Sequence, residues 1–369
     1  MACRTPFALL WLGLAVGCGQ PTTDDTAAVP YAPADQPGPW SVATQRDALD
    51  ASGPPPHVVQ LWYPTPATSG APANYDGLTL GSAQMGGPAD CDTPRPVVVF
   101  SHGNGGIRYQ SVFLTEHLAS HGWVVVAPDH LGNTLLDLDD VPRVEVAYRR
   151  PTDAARTFDH LLDRASDPSD PLSGCVDPDA GYTIIGHSFG GFTALATAGA
   201  AVDVAGLTAH CAEQGDFLCG LEAVWAAERP DDDSGDLSDP RARAAIALAP
   251  VGNVSLGAGL GQLAAPVAVI GGLQDQATAW LTEVRPIYEQ LTAEPRMLAG
   301  LDRVGHYSFS DFCIDLDDGC GDDFLPLEEA HAQIRTLTTA TLQQWDGQEE
   351  AAAWLPPEWA NLEWDSVVP

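Results

Sequence analysis

From residue 57 onward the chain switches between short apolar runs and longer stretches with apolar residues at helical spacing. His57–Tyr63 and Pro96–Ser101 read as strands. Trp123–Ala127 is apolar throughout, as a strand covered on both faces should be, and Tyr182–Ile185, Ala244–Leu248 and Val267–Ile270 extend the buried set. Between them, Tyr109–Ser120 reads as a helix with Val112, Leu114 and Leu118 on its apolar side. Pro151 opens a second helix carrying Ala155, Phe158, Leu161 and Leu162, and further helices are predicted at Phe189–Ala198, Thr278–Leu291 and Leu325–Trp345. This alternation predicts an α/β fold with a mostly parallel sheet flanked by helices. Residues 202–240 interrupt it with two cysteines and the run Asp231-Asp232-Asp233. They read as a cap inserted over the carboxyl edge of the sheet, with a disordered surface loop as the alternative. No internal repeat is visible.

The first 38 residues follow a different pattern. Residues 1–18 carry one positive charge at Arg4, a short apolar run from Pro6 to Val16, and small residues before Cys18. That run is too short for a retained membrane span and fits a signal segment. Ala15-Val16-Gly17-Cys18 looks like a bacterial lipobox and predicts lipidation at Cys18, with ordinary signal cleavage nearby as the alternative. Residues 19–38 are rich in Pro, Thr and Asp without periodicity and read as a flexible tether. The expected organisation is signal 1–18, tether 19–38, a single domain over 39–346, and a tail over 347–369. The chain is expected to be exported, as a cell-envelope lipoprotein or a secreted protein, touching a membrane only through Cys18.

Composition narrows the function. The 369 residues are 45 % hydrophobic and 18 % charged, which is globular. Sixteen basic against 50 acidic side chains leave a formal charge of −34, so nucleic acid is not an expected partner. All the basic residues are Arg. Without Lys, Schiff-base chemistry, a Ser–Lys dyad and a phosphate-gripping P-loop Lys are excluded.

Apart from Cys3 and Cys18, the cysteines are Cys91, Cys175, Cys211, Cys219, Cys313 and Cys320. An even number in an exported chain points to disulfides, with fifteen connectivities in principle. Short separations favour Cys211–Cys219 and Cys313–Cys320, leaving Cys91–Cys175. No Cys/His spacing suits zinc, and no metal or cofactor is expected.

Candidate chemistry concentrates at Gly186-His187-Ser188-Phe189-Gly190. This G-x-S-x-G pentapeptide is weak alone, but a strand precedes it and a helix follows. A nucleophile elbow needs that setting, because small residues permit the sharp turn that exposes the Ser oxygen. A serine hydroxyl also needs a base, and the base an orienting acid, in the chain order Ser, acid, His. Asp275 ends the loop after Val267–Ile270, and His306 sits in Val304-Gly305-His306-Tyr307 before the last helix. Asp129 is the chief rival acid but precedes Ser188, and Asp302 lies too close to His306 in the chain. Upstream, Ser101-His102-Gly103-Asn104-Gly105-Gly106 ends a strand in a Gly-rich loop. The backbone amides of Asn104 and Phe189 are therefore the expected oxyanion donors. His102 is read as fixing this loop by hydrogen bonds.

With these residues in place the chain resembles the α/β-hydrolase superfamily, and within it the dienelactone-hydrolase-like and platelet-activating-factor-acetylhydrolase-like esterases. The resemblance is carried by Phe100-Ser101-His102-Gly103, Leu118-Ala119-Ser120-His121-Gly122, Ala127-Pro128-Asp129-His130-Leu131-Gly132-Asn133-Thr134, the elbow, and Gly305-His306-Tyr307-Ser308-Phe309. It spans about Gly38 to Trp345. It implies an α/β-hydrolase fold, a Ser/Asp/His triad, no metal and hydrolysis of carboxylic esters. Some relatives carry the acid after the preceding strand, where this chain has Ala249-Pro250.

Three other readings compete with this one. Glu116-His117-Leu118-Ala119-Ser120-His121 places two His four apart, but the Glu precedes the first His, so a metalloprotease signature is missing. Asp315, Asp317, Asp318, Asp322 and Asp323 depart from EF-hand spacing and read as a solvated acidic loop. A non-catalytic surface lipoprotein that keeps the hydrolase fold is the alternative from another class. The expected function is ester hydrolysis through an acyl-enzyme, with a small-molecule, lipid or polymeric ester as substrate, a lipase or polyester hydrolase being a variant of the same chemistry.

Overall fold

The computed structural model describes residues 33–50, 57–138, 140–312, 318–348, 351 and 354–367. The expected signal segment, Cys18, most of the expected tether and Cys313 lie outside the described residues.

The strands are β1 (Ser41–Asp50), β2 (His57–Thr65), β3 (Pro72–Tyr75), β4 (Thr79–Met85), β5 (Val97–Ser101), β6 (Val124–Pro128), β7 (Tyr182–His187), β8 (Ala242–Leu248), β9 (Val267–Gly272), β10 (Arg296–Leu301) and β11 (Glu363–Val367). The helices are α1 (Val112–Ser120), α2 (Arg143–Ser166), α3 (Phe189–Thr197), α4 (Val204–Glu213), α5 (Leu221–Glu228), α6 (Asn253–Leu256), α7 (Arg285–Gln290) and α8 (Leu327–Trp345). One sheet runs in the order β11-β10-β9-β8-β7-β5-β6-β2-β1-β4-β3. Its centre, β6 through β10, is parallel at every pairing. The arrangement is that of an α/β-hydrolase fold.

Alternation along each central strand builds two cores. Val97, Val99, Val124 and Val126 face the layer that holds Phe158 of α2 and Phe192 of α3. Val98, Phe100, Val125 and Ala127 face Leu118 of α1 and Ile334 of α8. Each such side chain contributes roughly 1.5–3 kcal/mol by leaving water, which is why these strands carry unbroken apolar runs. From β5 the chain crosses to β6 on one side and then returns to β7 on the other. The carboxyl ends of β5 and β7 thus flank a topological switch point, where open α/β sheets form their crevices.

Several elements differ from expectation. Helix α2 starts at Arg143, so Pro151 lies inside it and does not open it. The extra turns bury Val146, Ala147 and Arg150, and that burial outweighs the hydrogen bond Pro151 removes. Thr278 belongs to a loop; a π-helical turn, Trp280–Val284, leads into α7. Residues 202–240 hold α4 and α5, whose Leu207, Leu221 and Trp225 join the same core as Phe158 of α2 and Phe192 of α3. The last residues of the expected tether are fastened: His117 Nε2 on α1 and His121 Nε2 just past its end meet the carbonyls of Ala34 and Gln36 at 3.1 and 2.8 Å. The expected tail supplies β11, antiparallel to β10. Cys91 is bonded to Cys175 and Cys211 to Cys219, and Cys320 is also disulfide-bonded. Among the described residues no helix is long and apolar enough to cross a membrane.

Candidate active site

Ser188 follows β7 directly and holds φ +58°, a left-handed conformation that a side-chain-bearing residue adopts at a cost of about 1–3 kcal/mol. The surrounding glycines make the turn possible. A Cβ on Gly190 would collide with the carbonyl of Ser101, and one on Gly186 with the carbonyl of Gly190. The elbow is pinned from the neighbouring strand, because Ser188 N donates to Leu248 O at 2.8 Å. Phe189, the next residue, begins α3, so its amide has no acceptor within the helix.

Three sequence-predicted residues meet here. Ser188 Oγ lies 2.9 Å from His306 Nε2, and His306 Nδ1 lies 2.9 Å from Asp275 Oδ2. His306 and Asp275 are buried. Asp275 and His306 reach the site from the ends of adjacent parallel strands, β9 and β10. Burial pushes the Asp275 carboxyl up, but the bond and charge of His306 and two bonds from Thr278 outweigh it and hold the carboxyl below its usual range. Thr278 N donates to Asp275 Oδ1 at 2.6 Å and Thr278 Oγ1 to Oδ2 at 2.8 Å. The rival acids are engaged elsewhere: Asp129 accepts Arg108 N and Nη1, both at 2.8 Å, and Asp302 accepts Gln274 and Asn361.

The loop after β5 faces Ser188 across the crevice. Gly103 N is committed to Gln110 Oε1 at 2.9 Å, which leaves the Asn104 amide as the next donor on this loop. The Asn104 side chain accepts from Asn133, and Asn133 in turn accepts from Arg150. His102 uses both ring nitrogens structurally: Nε2 accepts His130 N at 3.0 Å and Nδ1 meets Gly103 O at 2.7 Å. Burial and the nearby Arg150 keep its pKa well below the ordinary value, so the ring stays neutral.

Sequence reasoning missed several supporting residues. Gln110 Nε2 also meets His187 Nδ1 at 2.9 Å, and His187 Nε2 donates to the carbonyl of His306 at 3.1 Å. Burial, with His306 beside it, keeps His187 neutral, as this bonding needs. Buried Arg150 spans Ser101, His102, Gly103, Thr193 and Asn133, with Phe189 beneath it at 4.4 Å. No sequence periodicity marks these residues, because each acts across separate elements.

A cavity of about 580 Å³ opens onto the site, lined in part by Asn104, Ser188, His306 and Thr278. The segment joining α4 to α5 closes one side with Gly215, Asp216 and Phe217. The Phe217 ring packs edge-on against Phe189 at 5.2 Å, which couples the segment joining α4 to α5 to the elbow. A hydroxyl bonded to an imidazole, an imidazole bonded to an ionised carboxylate, and nearby backbone amides can together perform acyl transfer.

No curated protein matches the chain. A family model does, over residues 80–135: platelet-activating factor acetylhydrolase, isoform II. The matched stretch runs from β4 through β5, α1 and β6 to Leu135 and includes Asn104, while Ser188, Asp275 and His306 follow it. The chain is therefore an α/β-hydrolase-fold protein similar, over residues 80–135, to the platelet-activating factor acetylhydrolases.

Proposed function

We propose that the protein is a serine hydrolase that cleaves carboxylic esters through an acyl-enzyme. The observation that carries this reading is the continuous chain from Ser188 Oγ to His306 Nε2 and from His306 Nδ1 to Asp275 Oδ2, each step 2.9 Å. Ser188 Oγ attacks the acyl carbon while His306 Nε2 takes its proton. The Asn104 and Phe189 amides hold the negative charge that develops on the carbonyl oxygen. His306 then delivers the proton to the departing alcohol, and Asp275 keeps Nδ1 protonated and stabilises the transient imidazolium. Water, deprotonated by His306, releases the acid by the same steps in reverse.

The mouth of the cavity favours an ester with an apolar group, as in the lipase or polyester variant. Leu135, Leu136 and Leu138 are exposed on the loop beside Asn104, and Leu281 is 72 % exposed on the turn that carries cavity-lining Glu283. Two disulfides, Cys91–Cys175 and Cys211–Cys219, suit export to an oxidising compartment. Turnover of p-nitrophenyl acetate by the wild type, lost in Ser188→Ala, tests the reading. No turnover across a series of p-nitrophenyl chain lengths would favour a surface protein that keeps the fold without catalysis.

A further inference from the structure

We infer that Asp318 is a positioning residue whose single carboxylate fixes the separation of the acid and the base. This rests on the triad reading above. Asp318 Oδ1 accepts His306 N at 2.9 Å. Asp318 Oδ2 accepts Gln276 N at 2.9 Å and Ala277 N at 3.1 Å. Gln276 and Ala277 are the residues between Asp275 and Thr278. One carboxylate thus ties the backbone of the base to the backbone of the loop that presents the acid.

The same short segment grips the base loop twice more. Asp318 O accepts Tyr307 N at 2.9 Å, and Gly319 O accepts Ser308 Oγ at 3.1 Å. The contact is close: a Cβ on Gly305 would stand 2.6 Å from Asp318 Oδ1, so glycine is required beside His306. Three amides aimed at two carboxylate oxygens also explain why this acidic residue is not simply solvated. The carboxylate bonds of Asp318 go to backbone amides and not to Ser188 or the His306 ring, so it acts as a support of the two loops.

Removing the carboxylate frees two loops that otherwise move as one. A displacement of about 1 Å between reacting groups lowers rate on the order of 100-fold. Asp318→Ala should therefore lower kcat about 100-fold with KM changed by less than about twofold. Asp318→Asn turns an NH2 toward backbone N–H groups on one of the two loops and should behave similarly. A double-mutant cycle separates positioning from stability. If Asp318 acts by holding Asp275 on His306, its loss in an Asp275→Asn background should cost less than about threefold. The readout is the rate of Ser188 modification by a fluorophosphonate, measurable in slow variants.

A rate within about threefold of wild type in folded Asp318→Ala overturns the inference, as does an equal loss in both backgrounds. If Asp318→Ala does not fold, Asp318→Asn at reduced temperature is read by the same criteria. A wild type that neither hydrolyses esters nor reacts at Ser188 removes the triad reading, and this inference with it. Normal wild-type reactivity with an unaffected Asp318→Ala removes the inference alone.

Discussion

Arg150 donates to the carbonyl of His102 at 2.7 Å from a fully buried position. The same guanidinium reaches Gly103 O and Asn133 Oδ1, so one cation sets the loop that presents the Asn104 amide. A buried cation gains its place only through good geometry, and removing it leaves several carbonyls without a donor. Arg150→Met should cost about 3–5 kcal/mol in urea unfolding. Arg150→Lys should recover less than half of that, because an ammonium lacks the planar fork that spans these acceptors. A lysine variant with the wild-type unfolding midpoint would refute this account of the loop.

Thr278 is the second support. Its hydroxyl donates to Asp275 Oδ2, or alternatively to Ala249 O at 3.0 Å, and its amide meets Asp275 Oδ1. A hydrogen bond to a charged group contributes about 1.5–3 kcal/mol, which corresponds to about 10- to 150-fold in rate. Thr278→Val should lose kcat in that range, and Thr278→Ser should restore it. Equal kcat in the two variants would assign the residue to packing alone.

Asp311 links stability to neutral pH. Its Oδ2 accepts Phe113 N at 3.0 Å near the start of α1, and burial pushes the carboxyl up to about 7 against the pull of the Phe113 and Val112 amides. An unfolded Asp loses its proton near pH 3.9. Between about pH 4 and about pH 7 the native state therefore keeps a proton that the unfolded state has released, and stability falls as pH rises. Asp311→Asn should flatten the Tm profile over this window and gain on the wild type as pH increases. Parallel profiles for the two proteins would contradict this assignment.

The parallel centre of the sheet was legible because strands covered on both faces must be apolar throughout, as in β6. The edges were not. β1 reads SVATQRDALD and β11 EWDSV, and their polar, half-exposed residues are held by pairing with a neighbour. Ser188 was marked by the G-x-S-x-G pentapeptide between a strand and a helix, and Asp275 and His306 were read after it from the order Ser, acid, His. Asp318 and Arg150 had no such mark. An Asp within an acidic run reads as solvated, and an Arg in an amphipathic helix reads as its wet face, until tertiary packing brings acceptors or donors to it. Likewise His117 and His121, whose spacing invites a metal reading, hold the carbonyls of Ala34 and Gln36.

The Cys91–Cys175 and Cys211–Cys219 disulfides should separate stability from selectivity. Cys91–Cys175 spans 84 residues and Cys211–Cys219 spans 8, so chain entropy assigns them about 4–5 and about 2–3 kcal/mol. Replacing Cys91 and Cys175 by Ser should lower Tm with kcat unchanged. Replacing Cys211 and Cys219 should lower Tm less but alter chain-length preference among p-nitrophenyl esters, because Gly215–Phe217 wall the cavity. Unchanged chain-length preference in the second variant would exclude the segment joining α4 to α5 from substrate selection.

The central claim is that His306 activates Ser188, and covalent labelling tests it most directly. A fluorophosphonate probe followed by peptide mass spectrometry should place one adduct, on Ser188, in the wild type. His306→Ala should slow that labelling by about 10⁴-fold or more. An adduct at another residue, or labelling of Ser188 at an undiminished rate in His306→Ala, would contradict the account.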